Sequence, residues 1–490
     1  MKIQLLLLLT TILCVQHSIG FSLERAQKRF PRRLSGEQHY QRFLRSASAR
    51  KSSTEKSRVF NLIEYGADPS GTLDSSEAIL KAVEDAFKVQ SASGMLWGVN
   101  NLGGVVIDLH GGYYKIGKPI RFPSGGGNLV FQGGTIKASD NFPSTGYLVE
   151  LHSPQSSHRL SRHNSHSANC TAVHASNLGI YYEDITFRDV LFDANFRGGG
   201  LLVVDSARTR VTNCFFTHFI TDGILVEGGH ETFVSDCFLG QHLTVGGDPR
   251  ERNFSGTAIN LASNDNAVTD VAIFSAAVGV LLRGQANILT GVHCYNKATY
   301  WGGIGILVRL PGSSQTRLDN CYMDYTGIVL EDPFQVIITN AFFLGDAYIT
   351  LKSIKGEISG LNIVDNTFTG SSNSPIVKLD HSEKPFTHID QVVVDRNSVR
   401  GMALKSTVGR LTVAGKGSQW TADFSGLLVF PDRITHVQYA LHSRDRRSIP
   451  VHALTGVANN KVVVEAAGVV DAVVSVAVDQ YLMPGEVNHF

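Results

Sequence analysis

A short phrase recurs along the middle of this chain: a branched aliphatic residue, a small polar residue, Asn or Asp, then Cys or another apolar residue. It reads V-T-N-C at Val211, V-S-D-C at Val234, V-T-D-V at Val268, L-T-G-V at Leu289, L-D-N-C at Leu318, I-T-N-A at Ile338 and V-V-D-R at Val393. Neighbouring copies lie roughly 20 to 35 residues apart, with about two such steps before the last. A unit this short and this rich in β-branched residues cannot fold alone, so each copy must bury its apolar face against the next. The expected fold is therefore all-β, a solenoid of stacked coils that carries its chemistry along one lateral face.

A second phrase marks another strand of each coil: D-G-I-L-V at Asp222, T-A-I-N-L at Thr257, V-G-V-L-L at Val278, I-G-I-L-V at Ile304, T-G-I-V-L at Thr326 and A-Y-I-T-L at Ala347. Stacking turns sequence slots into spatial columns about 4.8 Å apart. In the first slot only Asp222 is ionisable. Burial among apolar and hydroxyl neighbours would raise its pKa and suit it to catalysis, although an Asp before Gly223 also serves a turn. Five positions on, the column reads Glu227, Ala262, Arg283, Arg309, Glu331 and Lys352. This is either a solvated ladder of opposite charges or a place where Arg283 and Arg309 grip the carboxylates of an acidic polymer.

The turns entering these strands hold Asp193, Asn195, His218, Gln241, His242, Lys297 and Asp324, and turns beside a binding strand often carry catalytic side chains. Asp193 with Asp222 would make a carboxylate pair for inverting glycoside hydrolysis, one acid protonating the leaving oxygen while the other activates water, about 6.5–9.5 Å apart. His218 and His242 would tune that pair or bind sugar, and Lys297 and Trp301 would line a sugar subsite. The strand centres, at Leu225, Leu281, Leu307 and Val329, are flanked by apolar neighbours. A strand apolar on both faces has something packed outside it, either the C-terminal region or another chain.

The flanking regions read differently. Residues 1–20 have the features of a secretory signal: Lys2, an apolar stretch starting at Leu5, and small Ser18 and Gly20. No later stretch is apolar enough to span a bilayer, so no membrane segment is expected in the mature chain. Sequons at Asn169 and Asn253 fit export. Residues 21–57 form a basic, polar leader expected to be flexible. Order begins at Val59, and Asp74 with Glu77 reads as a capping box for a helix burying Ile79, Val83 and Phe87, a lid for the open end of the stack. Residues 152–176 are rich in Ser and His and read as a solvated loop rather than a metal site. After about 400 the runs K-V-V-V-E-A at Lys461 and A-V-V-S-V-A-V at Ala472 point to a small antiparallel β domain, 401–490.

Of six cysteines, Cys14 would leave with the signal. Cys214, Cys237 and Cys321 share a slot, and buried stacked thiols are favoured there over a bridge between coils. No C-x-x-C pair exists, so zinc is not expected. A net charge of +1 gives no global field for nucleic acid. No phosphate-binding glycine loop, H-E-x-x-H or G-x-S-x-G occurs.

The opening F-N-L-I-E-Y-G-A-D-P-S-G-T-L-D-S-S-E-A-I, beginning at Phe60, resembles the entry of pectate-lyase-like right-handed parallel β-helix proteins. With G-G-V-V-I-D-L at Gly103, G-G-T-I-K-A-S at Gly133 and the N-C-F-F coils, the chain is similar to the plant Quartet-type polygalacturonases from about 59 to 400, within a right-handed parallel β-helix expected over residues 58–400. The resemblance implies a secreted glycoside hydrolase that cuts α-1,4 bonds of de-esterified galacturonan in the plant cell wall without a cofactor or metal, its partner an acidic polysaccharide. Ordinary polygalacturonases carry N-T-D, D-D, G-H-G and R-I-K motifs. Here T-D-G-I at Thr221 matches part of the first and sets Asp222 on its Asp, while the strands equivalent to the others hold Thr257 and Val278. A calcium-dependent pectate lyase and a non-catalytic wall-binding solenoid are the alternatives.

Overall fold

The computed structural model describes residues 58–91, 94–156, 179–242, 254–295, 302–309, 315–444 and 449–486. The signal 1–20, the leader 21–57, both sequon asparagines, Cys170, Lys297, Trp301 and most of the Ser/His stretch lie outside the described residues.

Each coil is a triangle of three short strands, and successive coils pair in parallel to form three sheets. The first sheet carries the V-T-N-C phrases, with Val211 over Val234 over Val268 and Leu289 over Leu318 over Ile338. The second sheet follows after one corner residue, with Phe216 beside Leu239 and Ile273 beside Cys294. The third carries the D-G-I-L-V phrases, with Asp222 beside Thr257, Thr257 beside Val278 and Val278 beside Ile304. The architecture is a right-handed parallel β-helix.

The corner between the first two sheets explains the Asn and Asp of the repeat. Asn213, Asp236, Asp270, Gly291, Asn320, Asn340 and Asp365 all have φ between 51° and 66°. Only Gly, Asn and Asp visit this left-handed region without much strain, so the polar residue of each phrase is a backbone device. Arg396 takes the same conformation at φ 53°. It fixes the last copy as Val394-Asp395-Arg396, and Val394 indeed pairs with Ile363. The assignment at Val393 was therefore one residue out, and the copy I-V-D-N at Ile363 fills the long interval before it.

Side chains alternate in and out of each strand. The inward set, including Phe192, Phe216, Ile259, Val280, Ile306 and Phe343, is fully buried in one continuous core. Phe192 stacks on Phe216 at 4.6 Å and Phe343 on Phe368 at 4.3 Å, one ring per rung. Cys214, Cys237, Cys294 and Cys321 are buried in the same core and unbridged. On the third strand of the site-bearing coil, Gly223 and Ile224 are both buried: a side chain at Gly223 would strike the Ala258 carbonyl of the next rung and crowd the core side chains of Leu239 and Phe219. That doubling leaves Asp222, Leu225 and Glu227 on the outer face.

The helix Ser76–Phe87 buries Ile79, Ala82, Val83 and Ala86 against the first coils. Its start departs from the expected capping box. Ser75 is the N-cap and makes no side-chain cap bond, because its hydroxyl accepts from the Asp68 N–H at 2.9 Å. Asp74 instead accepts from Ser76 N at 2.8 Å, and Glu77 pairs with Lys118 across the lid. At the other end, Val408–Asp423, His436–Ser443, His452–Ala458 and Lys461–Asp479 form an antiparallel sheet. Both valine-rich runs near the C-terminus belong to its single 19-residue strand. Trp420, Phe424, Val462 and Val474 make a separate core there.

Candidate active site

The outer face of the third sheet gathers charge over an apolar floor. Tyr147, from the strand Tyr147–Leu151, lies against Leu202, Val204 and Leu225 of the next two rungs. This ring is what covers Leu225; the outward apolar residues of that strand are capped from within the same stack. Leu281 and Leu307, in the same column, are 9% and 4% exposed.

Asp222 sits at the edge of this floor. Its Oδ2 accepts from the Tyr147 hydroxyl at 2.7 Å and its Oδ1 from the Asn260 side-chain N–H at 2.9 Å. Arg283 Nε donates to Asn260 Oδ1 at 3.1 Å, which fixes the amide so that its nitrogen faces the acid. Arg283 thus acts toward Asp222 through Asn260. Burial pushes the Asp222 carboxyl above its ordinary range, against the hydrogen bonds of Tyr147 and Asn260 and the charge of Arg283, which favour ionisation.

Other ionisable groups flank the floor. Glu150 is buried and joined to Arg121 at 2.6 Å. His152, two rungs below Glu227 in one column, has a buried Nε2 with no partner among the described residues. Burial lowers its pKa, opposed by the nearby charges of Glu150, Asp205 and Glu227. Glu227 is half-buried. Further along the column, Glu331 pairs with Arg309 at 3.4 Å and Lys352 at 3.6 Å, so this part forms the expected ladder of opposite charges.

Asp193, His218 and His242 form a second cluster at the corner entering the third sheet. His218 Nδ1 lies 2.7 Å from Asp193 Oδ1, which also accepts from Asn195 N at 2.9 Å, and Lys137 Nζ lies 3.2 Å from Oδ2. Burial alone would raise the Asp193 carboxyl; the His218 hydrogen bond, the Asn195 N–H and the charges of His218 and Lys137 outweigh it and hold it low. Phe196 packs at a tilt against both histidines, at 4.8 Å from His218 and 5.3 Å from His242. The candidate residues therefore fall into two groups, Asp222 with Arg283 on the sheet face and Asp193 with both histidines at the corner. The sequence reading missed Tyr147, Asn260 and His152. Tyr147 and His152 precede the first repeat phrase, and Asn260 occupies an outward slot filled by leucine in the neighbouring rungs.

No protein-family model matches the chain. It is 53% identical over 426 residues to polygalacturonase QRT3 of Arabidopsis thaliana, covering 86% of this chain and 84% of that protein. Among solved structures, ORF18 of Geobacillus virus E2 superposes with a TM-score of 0.52 at 13% identity, over 84% of this chain and 78% of that one. The tailspike protein of E. coli bacteriophage HK620, in complex with a pentasaccharide, gives a TM-score of 0.44 at 12% identity, over 87% and 94% of the two chains. The viral ORF18 likeness bears on the fold alone, whereas identity as extensive as that with QRT3 decides kinship: the chain belongs to the Quartet-type polygalacturonase family.

Proposed function

We propose that this protein is an exported polygalacturonase that hydrolyses α-1,4 bonds of galacturonan in the plant cell wall, with Asp222 as the general acid. The observation that carries the substrate class is the 53% identity to polygalacturonase QRT3 over 86% of the chain. The acid role rests on the geometry. A carboxyl raised by burial keeps its proton where an ordinary carboxylate has lost it, and a held proton is what a leaving sugar oxygen needs. Leu225, partly exposed beside the buried Tyr147, Leu202 and Val204, offers apolar surface to a sugar ring. Arg283 supplies positive charge on that face for the polymer's carboxylates, Arg309 would do so from its exposed guanidinium while paired with Glu331, and Lys297 is assigned the same role from its place in the sequence.

The export signal at 1–20 supports a cell-wall location, and Asn169 and Asn253 are the proposed glycan acceptors. Asp193, His218 and His242 are assigned to shaping the corner through which the chain enters the sheet face.

Incubation of the purified full chain with polygalacturonic acid, with and without a chelator, tests the reaction. New reducing ends without ultraviolet absorbance, unaffected by chelation, are expected. Unsaturated, absorbing products that need calcium would make it a lyase, and binding without new ends would make it a wall-binding solenoid.

A further inference from the structure

We infer that Glu227 is the second carboxylate of the reaction, the general base that activates water opposite Asp222. The inference rests on the polygalacturonase reading above and names the residue that reading leaves open.

An inverting hydrolase needs two carboxyl groups with different tasks, and the base must have a free oxygen facing water. Asp193 does not meet that need. Its Oδ1 accepts from His218 and Asn195, and its Oδ2 is held by Lys137. Glu150 is buried, with Oε2 held by Arg121 and Oε1 by the Tyr147 N–H. Glu227 differs from both. Among the described residues its carboxylate makes no hydrogen bond or ion pair, and it is half-buried at the rim of the apolar floor.

Its placement is also right. Asp222 and Glu227 belong to one strand, Asp222–His230, and both face outward beside Leu225. Five extended residues at about 3.3 Å each set their Cα atoms on the order of 15 Å apart, less the shortening at Gly223. For this role the two side chains must converge across Leu225 to the roughly 6.5–9.5 Å that leaves room for a water. Tyr147 links the two acids: its hydroxyl is bonded to Asp222 and feels the charge of Glu227. The neighbours of Glu227 in its column are Val204 below and Ala262 above, so neither column neighbour is a cation.

In the step this assigns, Glu227 takes a proton from water as the water oxygen bonds to the anomeric carbon. The bond from that carbon to the leaving O4 breaks, and O4 receives the proton of Asp222. One water is consumed, and one reducing end and one free 4-hydroxyl appear. Exchange with solvent then returns the proton from Glu227 and reprotonates Asp222.

The test uses full-length E227Q, E227A and D222N on polygalacturonic acid. E227Q is expected to lose about 10²- to 10³-fold in kcat with KM within about 2-fold, while melting like wild type. E227A is expected to regain turnover in azide, which needs no base, and to yield a β-configured glycosyl azide from the α bond. A folding defect cannot produce that rescue. D222N, in contrast, should recover on an aryl galacturonide whose leaving group needs no proton. Near-wild-type turnover by E227Q beside an inactive D222N would overturn Glu227 and leave the polygalacturonase reading intact, as would a well-folded E227A that azide fails to rescue. No cleavage of polygalacturonic acid by the wild type would defeat the underlying reading itself.

Discussion

The Tyr147 hydroxyl reaches across two rungs of the third sheet to donate a 2.7 Å hydrogen bond to the Asp222 carboxylate. A donor to a carboxylate favours its ionised form. Tyr147→Phe removes that donor and keeps the ring that covers Leu225, so the Asp222 pKa should rise further. As the acid works only while protonated, the alkaline limb of kcat/KM should move to higher pH. Loss of positioning should also lower kcat about tenfold. A pH–rate profile measures both, and an unmoved alkaline limb would detach Tyr147 from the acid.

Asp222 itself should trade stability for activity. Its folded pKa lies above its unfolded value. Its contribution to stability is therefore fully present below the unfolded pKa, about pH 4, and is lost as pH rises through the raised folded value. Asp222→Asn cannot ionise and escapes that loss. The variant should lose about 10³-fold or more in kcat, unfold with wild type at acidic pH, and unfold later than wild type at neutral pH. Denaturant titrations at the two pH values check the sign. Equal stability at both would mean that the carboxyl is not strained by burial.

Much of the stack was legible because its constraints are local and repeated. The corner between the first two sheets needs a left-handed residue in every coil, which writes Asn, Asp or Gly into the same slot, and the inward strand positions write branched residues around it. Where two branched residues adjoin, as at Val393 and Val394, the phrase alone does not fix the register; the backbone does, through Arg396. The site was less legible. Asp222 stood out as the acid in a column of neutral residues. Tyr147 did not, because it reaches Asp222 from outside the repeat phrases, and Glu227 was concealed by a column whose later members, Arg309, Glu331 and Lys352, do pair.

Asp193 should behave oppositely to Asp222. Its folded pKa lies below the unfolded value through the contacts with His218, Asn195 and Lys137. Its stabilisation is thus present above the unfolded pKa and is lost as pH falls through the folded one. Asp193→Asn should cost about 1–3 kcal/mol at neutral pH and progressively less on acidification below about pH 4. Unfolding free energies from denaturant curves across pH 2–7 report the difference. A penalty independent of pH would assign Asp193 to shape alone.

The final coils swap the stacked thiols of the earlier ones for a polar ladder, and that ladder should be the more fragile. Asn366 occupies the slot that holds Cys214 lower in the stack. Its Oδ1 accepts from Ala341 N at 3.0 Å, while its Nδ2 donates to the carbonyls of Ile338 and Val364 and to Asn397 Oδ1 at 3.0–3.1 Å. The bonds to Ala341 N and the Ile338 carbonyl are buried, so removing the amide leaves those backbone groups without that partner and out of reach of water, while Asn397 keeps its bonds to Asn366 N and the Ile363 carbonyl. Asn366→Ala should cost about 2–4 kcal/mol, more than one ordinary hydrogen bond, because each abandoned polar group bears its full desolvation penalty. Asn340→Ala tests the neighbouring αL corner. It loses one exposed 3.0 Å bond to Asp319 and adopts a φ of 55° that alanine disfavours, for a cost of about 1–2 kcal/mol. Chemical denaturation should rank Asn366→Ala as the larger loss; the reverse order would place the stability of this end in its corners instead of its interior ladder.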